Sequence, residues 1–115
     1  MFQTTYLDRI LAKQRSQLEQ ERQSLLDKTI DWLDNYGSQY GIKQAYIFGS
    51  ITRKNQFTKG SDIDIAIEIT NTDYLFSIIG FISEATGKEV DVILLNDCHF
   101  ANRIRERGIK WMPKS

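Results

Sequence analysis

Two aspartates, Asp62 and Asp64, stand on alternate positions of a run whose other residues are Ile63, Ile65, Ala66, Ile67, Glu68 and Ile69. In an extended chain alternate side chains share a face, so both carboxylates project the same way, roughly 7 Å apart at Cα by strand rise. Two carboxylates held that close repel unless a counter-charge neutralises them. A divalent cation does this, and ligands that are all oxygen favour a hard ion, Mg2+ or Mn2+. Asp91 is the polar residue expected to be embedded deepest in the apolar run Glu89-Val90-Asp91-Val92-Ile93-Leu94-Leu95. If that run lies beside the first strand, Asp91 adds a third carboxylate. Three acids can hold two ions, and two ions clamp the attacking and leaving oxygens of a phosphoryl or nucleotidyl transfer.

Upstream, Gly49-Ser50 closes another apolar run. Glycine lets the backbone approach closely. Ser50 offers a hydroxyl and an N–H, and a short helix starting there turns free N–H groups toward a phosphate. Arg53, Lys54 and Lys59 follow with no intervening acid and offer countercharge. Taken singly, each feature has a plainer reading: a common turn, a solvated strand start with a local Ser61-Asp62 turn, a structural acid paired with an arginine. Together, at this spacing, they point to a metal-plus-phosphate site.

The elements that must position these groups alternate between helix and strand, which indicates an α/β fold. Thr5-Tyr6-Leu7-Asp8 resembles a capping box opening a helix that runs to about residue 36, with Gly37 as its stop. Its apolar stripe is dense from Leu25 onward and thin before it, so the first half is expected to project as an arm or a solvated helix. Strands are expected at 43–48, 61–69 and 89–95, with a helical turn and loop over 51–59. A helix over 73–85 should bury Leu75, Phe76, Ile78, Ile79 and Ile82, and Gly87 should end it. A last helix, capped by Asn96 or Asp97, runs to about residue 107, before a short apolar tail at 109–112. Residues 1–40 read as a helical extension and 41–115 as the enzyme domain, within one compact unit.

The chain has 115 residues, 41% of them hydrophobic, enough for a core, which excludes global disorder. Lys and Arg number 15, as do Asp and Glu, so the chain as a whole is not a polyanion binder. The charge is uneven. Residues 62–97 hold eight acids against Lys88 alone, and residues 98–115 hold five bases against Glu106 alone. No basic and aromatic platform for nucleic acid is present, which argues against direct nucleic-acid binding. The single cysteine, Cys98, excludes an intrachain disulfide, and with only His99 beside it a zinc site is not expected. No apolar run resembles a signal peptide or reaches the roughly 18 residues of a membrane span, so a cytoplasmic location is expected.

Phe48-Gly49-Ser50, Ser61-Asp62-Ile63-Asp64-Ile65-Ala66 and Val90-Asp91-Val92 resemble the motifs of the polymerase-beta-like nucleotidyltransferases. The nearest group in that superfamily is the minimal nucleotidyltransferase (MNT) antitoxins of HEPN/MNT toxin–antitoxin pairs. The likeness spans 46–95, and the last helix and tail also look like this group. It implies a mixed β-sheet with packed helices, ATP as nucleotide donor and two Mg2+ ions, or Mn2+. Carried over by position, Asp62, Asp64 and Asp91 are the metal-binding and catalytic carboxylates. Gly49 and Ser50 match the nucleotide-phosphate contact, and Arg53 and Ser61 complete the expected nucleotide-binding set. The resemblance further implies AMP transfer onto a tyrosine hydroxyl of a partner HEPN-domain RNase toxin. One alternative is transfer to an aminoglycoside-like small molecule, with Glu68 and Asp91 on an acidic acceptor pocket. Another is a non-catalytic antitoxin that neutralises its partner by occlusion, through the long first helix and Arg103, Arg105 and Arg107. Two departures stand out. The chain before Gly41 is longer than the minimal core needs. Where many relatives carry Arg and Gly soon after Gly-Ser, this chain has Ile51-Thr52-Arg53-Lys54-Asn55-Gln56. Asn55 is there the residue able to take a positive φ.

Overall fold

The isoleucines of residues 63–69 dictate the architecture. In the computed structural model, which describes residues 2–114 with side chains from residue 5, strand β2 (Ile63–Ile69) buries Ile63, Ile65 and Ile67 on one face of a sheet. Strand β1 (Ile42–Phe48) pairs antiparallel with β2, setting Ile47 opposite Ile65 and Phe48 opposite Asp64. The helix between β2 and β3 (Val90–Leu94) makes a crossover, so β3 lies parallel to β2, with Asp91 in register with Asp64. The 109–112 tail supplies a fourth strand, β4 (Ile109–Trp111), antiparallel along the far edge of β1. The sheet order is β3-β2-β1-β4. The mixed sheet with packed helices is therefore present as expected.

Helices α1 (Phe2–Trp32) and α2 (Leu75–Thr86) cover the isoleucine face, where Leu25, Trp32, Leu33, Ile78 and Ile82 join the core. Helix α3 (Ala101–Arg107) covers the other face, packing Ile104 with Tyr46, Ala66 and Leu95. Burial of each large aliphatic side chain stabilises the fold by about 1.5–3 kcal/mol before entropy is counted. The aromatic rings of Trp32, Tyr40 and Phe81 stack between α1 and α2, with centroids 5.6–6.4 Å apart.

Several local expectations are corrected. Helix α1 already begins at Phe2, so Thr5-Tyr6-Leu7-Asp8 lies inside the helix rather than at its opening. Phe76 is 85% exposed, because a residue two places from Ile78 points away from the face that Ile78 and Ile82 bury. Leu75 and Ile79 are half-buried. Asn96 and Asp97 form a 3-10 turn, Leu95–Asp97, and α3 starts only at Ala101. Residues 5–17 are all exposed, including Tyr6, Leu7, Ile10 and Leu11. The molecule measures 60 × 27 × 24 Å, so the first half of α1 projects from the body as the thin apolar stripe implies. Among the described residues no helix is long and apolar enough to cross a membrane.

The helical run ends at Gly37 as expected, and the glycine serves a second purpose there. Helix α1 runs on into a π-helical turn, Leu33–Gly37, and the chain turns away at Gly41, whose φ is +79°. A Cβ built at Gly37 would lie 2.5 Å from Cη2 of Trp111, whose Nε1 donates to Asp34 Oδ1 at 2.8 Å. The glycine makes room for the indole that pins β4 to the end of α1. Gly37→Ala should therefore lower stability by about 1–3 kcal/mol in urea unfolding, the usual cost of overpacking. A change within about 0.3 kcal/mol would show that Trp111 yields freely.

Candidate active site

Asp64 occupies the second position of β2, on the face opposite the isoleucines. Because β2 lies between β1 and β3, its carboxylate stands between Phe48 and Asp91. It is half-buried. Burial first, then the charges of Asp91 and of Asp62, push its carboxyl pKa above the ordinary value. The two neighbouring charges therefore act on Asp64, and the structure brings the three predicted acids to one end of the sheet. Asp62 lies in the loop just before β2 rather than in the strand, as β2 starts two residues later than expected. Asp91 is exposed, which corrects the expectation of a deeply embedded acid. The reason is topological: β3 is an edge strand, and the helix on this face covers Leu95 instead.

Among the described residues the ion pairs are Arg22–Glu19 and Lys88–Glu21, so no basic side chain pairs with the three acids. As they stand, no three His, Cys, Asp or Glu side chains among the described residues are close enough together to hold an ion. The acids are neighbours at the sheet end without forming a closed cluster. Their all-oxygen chemistry and unneutralised mutual repulsion fit a hard divalent cation.

Gly49 sits against this group. Its φ is +84°, a conformation other residues rarely adopt, and a Cβ there would collide with the Asp64 carboxylate. The backbone thus passes directly over Asp64 before Ser50–Thr52 forms a 3-10 turn. The Thr52 hydroxyl donates to the Gly49 carbonyl at 2.7 Å, and the Thr52 N–H donates to the same oxygen at 3.1 Å. Ile51 carries the turn back to the other face of the sheet, where it is fully buried in the core. Further on, Asn55 has φ +70°, the one non-glycine with positive φ among the described residues, so it does the glycine's job in this loop.

The remaining predicted contacts are more scattered. Arg53, Lys54 and Lys59 are exposed, and the charge of Lys54 acts on Glu19 of α1, away from the acids. Ser61 is half-buried, and its hydroxyl accepts from the Thr58 N–H at 3.0 Å, closing a local turn ahead of Asp62. Glu68 lies further along β2, where Gln44 donates to it at 3.0 Å. Two basic residues that the sequence reading passed over hold the loop instead. Arg22 Nη1 donates to the Ile51 carbonyl at 2.9 Å, and Lys88 Nζ donates to the Lys59 carbonyl at 2.7 Å. The sequence signal for Arg22 was present: it lies on the stripe of Leu18, Leu25, Thr29 and Trp32, a charge on a core-facing line.

The electrostatics give a sign. The folded state holds the Asp64 proton more tightly than the unfolded chain does. This favours folding below the unfolded pKa and is lost as pH rises through the raised folded value. Asp64→Asn removes that loss. With no divalent cation added, it should melt higher than wild type at pH 7. Solvent screens a half-buried group, so the gain is on the order of 0.5 kcal/mol, or 2–4 °C. The gain should vanish near pH 3. Paired thermal melts at pH 3 and 7 check this, and a variant less stable at pH 7 would contradict it.

The sequence profile described as "Polymerase beta, Nucleotidyltransferase" matches residues 27–112. A comparison with curated proteins finds no match. Among solved structures, the chain is similar to a crystal structure of a toxin–antitoxin with AMP-PNP, at 20% identity and a TM-score of 0.57, covering 75% of this chain and 72% of that one. It is also similar to the toxin–antitoxin MntA-HpeT, in a mutant with two aspartate-to-glutamate changes two positions apart. That match has 18% identity and a TM-score of 0.55, covering 75% and 71% of the two chains. At these identities the structural likeness speaks for the fold, while the sequence match, which takes in every strand and the end of α1, speaks for the family. The chain belongs to the polymerase beta nucleotidyltransferase family.

Proposed function

We propose that this protein is an Mg2+-dependent protein adenylyltransferase. It moves AMP from ATP onto a tyrosine hydroxyl of a partner HEPN RNase toxin and so acts as its antitoxin. The observation that carries the reading is the juxtaposition of Asp64 and Asp91 in register, with the Gly49 backbone laid over Asp64. Nothing but glycine fits there, so the Gly49-Ser50 turn and the acids form one unit. In this reading Gly49 and Ser50 hold the terminal phosphates, with Arg53 and Ser61 at the rim of the nucleotide site. Asp62, Asp64 and Asp91 would hold Mg2+ or Mn2+, which when bound neutralises charge on the phosphates. Asp91, exposed on the edge strand, is open to an incoming hydroxyl and accepts its proton. The raised proton affinity of Asp64 sets protons in competition with the cation, so cation affinity falls as pH falls.

Support for a toxin partner comes from the fold, which is shared with two toxin–antitoxin structures, one of them holding AMP-PNP. A second reading, neutralisation by occlusion, is favoured by the projecting α1 arm with its exposed Tyr6, Leu7 and Leu11.

The test is intact mass spectrometry of the protein with the product of its adjacent gene, Mg2+ and each NTP in turn. The partner should gain about 329 Da per AMP unit on this chemistry. Asp64→Asn should lower the transfer rate by at least about 10^3-fold, the scale expected when charge stabilisation at the reacting phosphate is lost. A tight complex with no mass gain from any NTP would favour occlusion. No gain and no complex would leave small-molecule acceptors.

A further inference from the structure

The loop that carries Gly49 and Ser50 is held from both faces of the sheet. On one face, Gly49 rests on Asp64. On the other, Ile51 is buried beneath α1, and its carbonyl oxygen accepts from Arg22 Nη1 at 2.9 Å. Arg22 itself is 7% exposed, an unusual place for a guanidinium. Glu19, one turn earlier, fixes it through two bonds: Nε donates to Oε2 at 2.9 Å and Nη2 to Oε1 at 2.5 Å. The planar fork of arginine spends one edge on the carboxylate and still aims Nη1 at the carbonyl, which a lysine ammonium does not do. The bond to Arg22 holds Glu19 at a pKa of about 2, so the pair stays charged across the working pH range. Because Ile51 lies inside the Ser50–Thr52 turn, any shift of its carbonyl is passed to Ser50 and Gly49, one and two residues earlier in the chain.

We propose that Arg22, oriented by Glu19, is a positioning residue for the nucleotide, clamping the Gly49-Ser50 turn over Asp64 from the far side of the sheet. This rests on the adenylyltransferase reading for its ligand, but not for the clamp itself. Arg22 touches no reacting atom. It preorganises the turn, so its loss costs ligand affinity through disorder of the free state rather than through a missing contact.

Two measurements test this. The first is amide hydrogen exchange on the nucleotide-free protein at Thr52 and Arg53, whose N–H groups close the turn onto Gly49 and Ser50. The second is calorimetric binding of AMP-PNP with Mg2+. The variants are Arg22→Met, Arg22→Lys, Glu19→Gln and, as a control for general destabilisation, Leu25→Ala in the same helix. For Arg22→Met, exchange at both amides should rise at least 10-fold and the AMP-PNP Kd at least 10-fold. Arg22→Lys should recover part of both, Glu19→Gln should shift both in the same direction by less, and Leu25→Ala should change neither beyond 2-fold at a comparable loss of Tm. The proposal is overturned if Arg22→Met leaves exchange unchanged, if exchange rises while the Kd does not, or if Leu25→Ala reproduces both effects. A wild-type chain with no AMP-PNP affinity would instead remove the adenylyltransferase reading, and the nucleotide-positioning role with it.

Discussion

Everything in this molecule is arranged around the two-faced character of β2. One face offers three buried isoleucines and requires a hydrophobic roof, which α1 and α2 supply. The other face carries a carboxylate that repels its neighbours and must be left partly open. Strand geometry admits no compromise between these demands, since successive side chains are on opposite sides. The long helices therefore go to the apolar side. Only the short α3 packs on the acidic side, and it covers Ala66 and Leu95 while leaving Asp64 and Asp91 at the sheet end.

The loop from β1 to β2 links the two faces. It leaves β1 on the carboxylate side at Gly49, plunges to the core at Ile51, turns at Asn55 and is anchored again by the buried Phe57. Lys88 ties the far part of the loop to the turn between α2 and β3, with Nζ also 5.6 Å above the Phe57 ring. A segment with almost no regular structure thus gains fixed points from α1, from the core and from the turn before β3. The result is a loop that keeps its shape beside three acids to which, among the described residues, no basic side chain is paired. Repulsion left standing in the folded state destabilises it, and the core on the opposite face offsets that cost.

Much of this was legible in the chain. The Asp-x-Asp alternation places both carboxylates by strand periodicity alone, and the three main strands fall within two residues of expectation. Asn55 was recognisable as a substitute for glycine because few side chains tolerate a positive φ. The misreadings share a cause. Asp91 was expected to be buried because its neighbours in sequence are apolar, but exposure depends on which strand is at the edge. Phe76 was expected inside because it is large and apolar, but the helix face is chosen by Ile78 and Ile82. Gly37 does end the helical run as expected, but the indole far along the chain for which it makes room is not visible in the sequence. Each of these depends on contacts between residues distant in sequence.

The amino-acid sequence by itself determined the main helices and three of the strands, the carboxylate spacing and the glycine at which a close backbone approach is possible. These follow from local rules: period-two alternation, backbone conformational limits and apolar stripes. Only the tertiary structure decided that Asp91 stands in register with Asp64, that β4 closes the free edge of β1 and that Arg22 reaches the carbonyl of Ile51. The physical reason is that pairing register and buried polar contacts are settled by packing of the whole core, which brings a helix residue and a loop residue 29 positions apart together as donor and acceptor of one hydrogen bond.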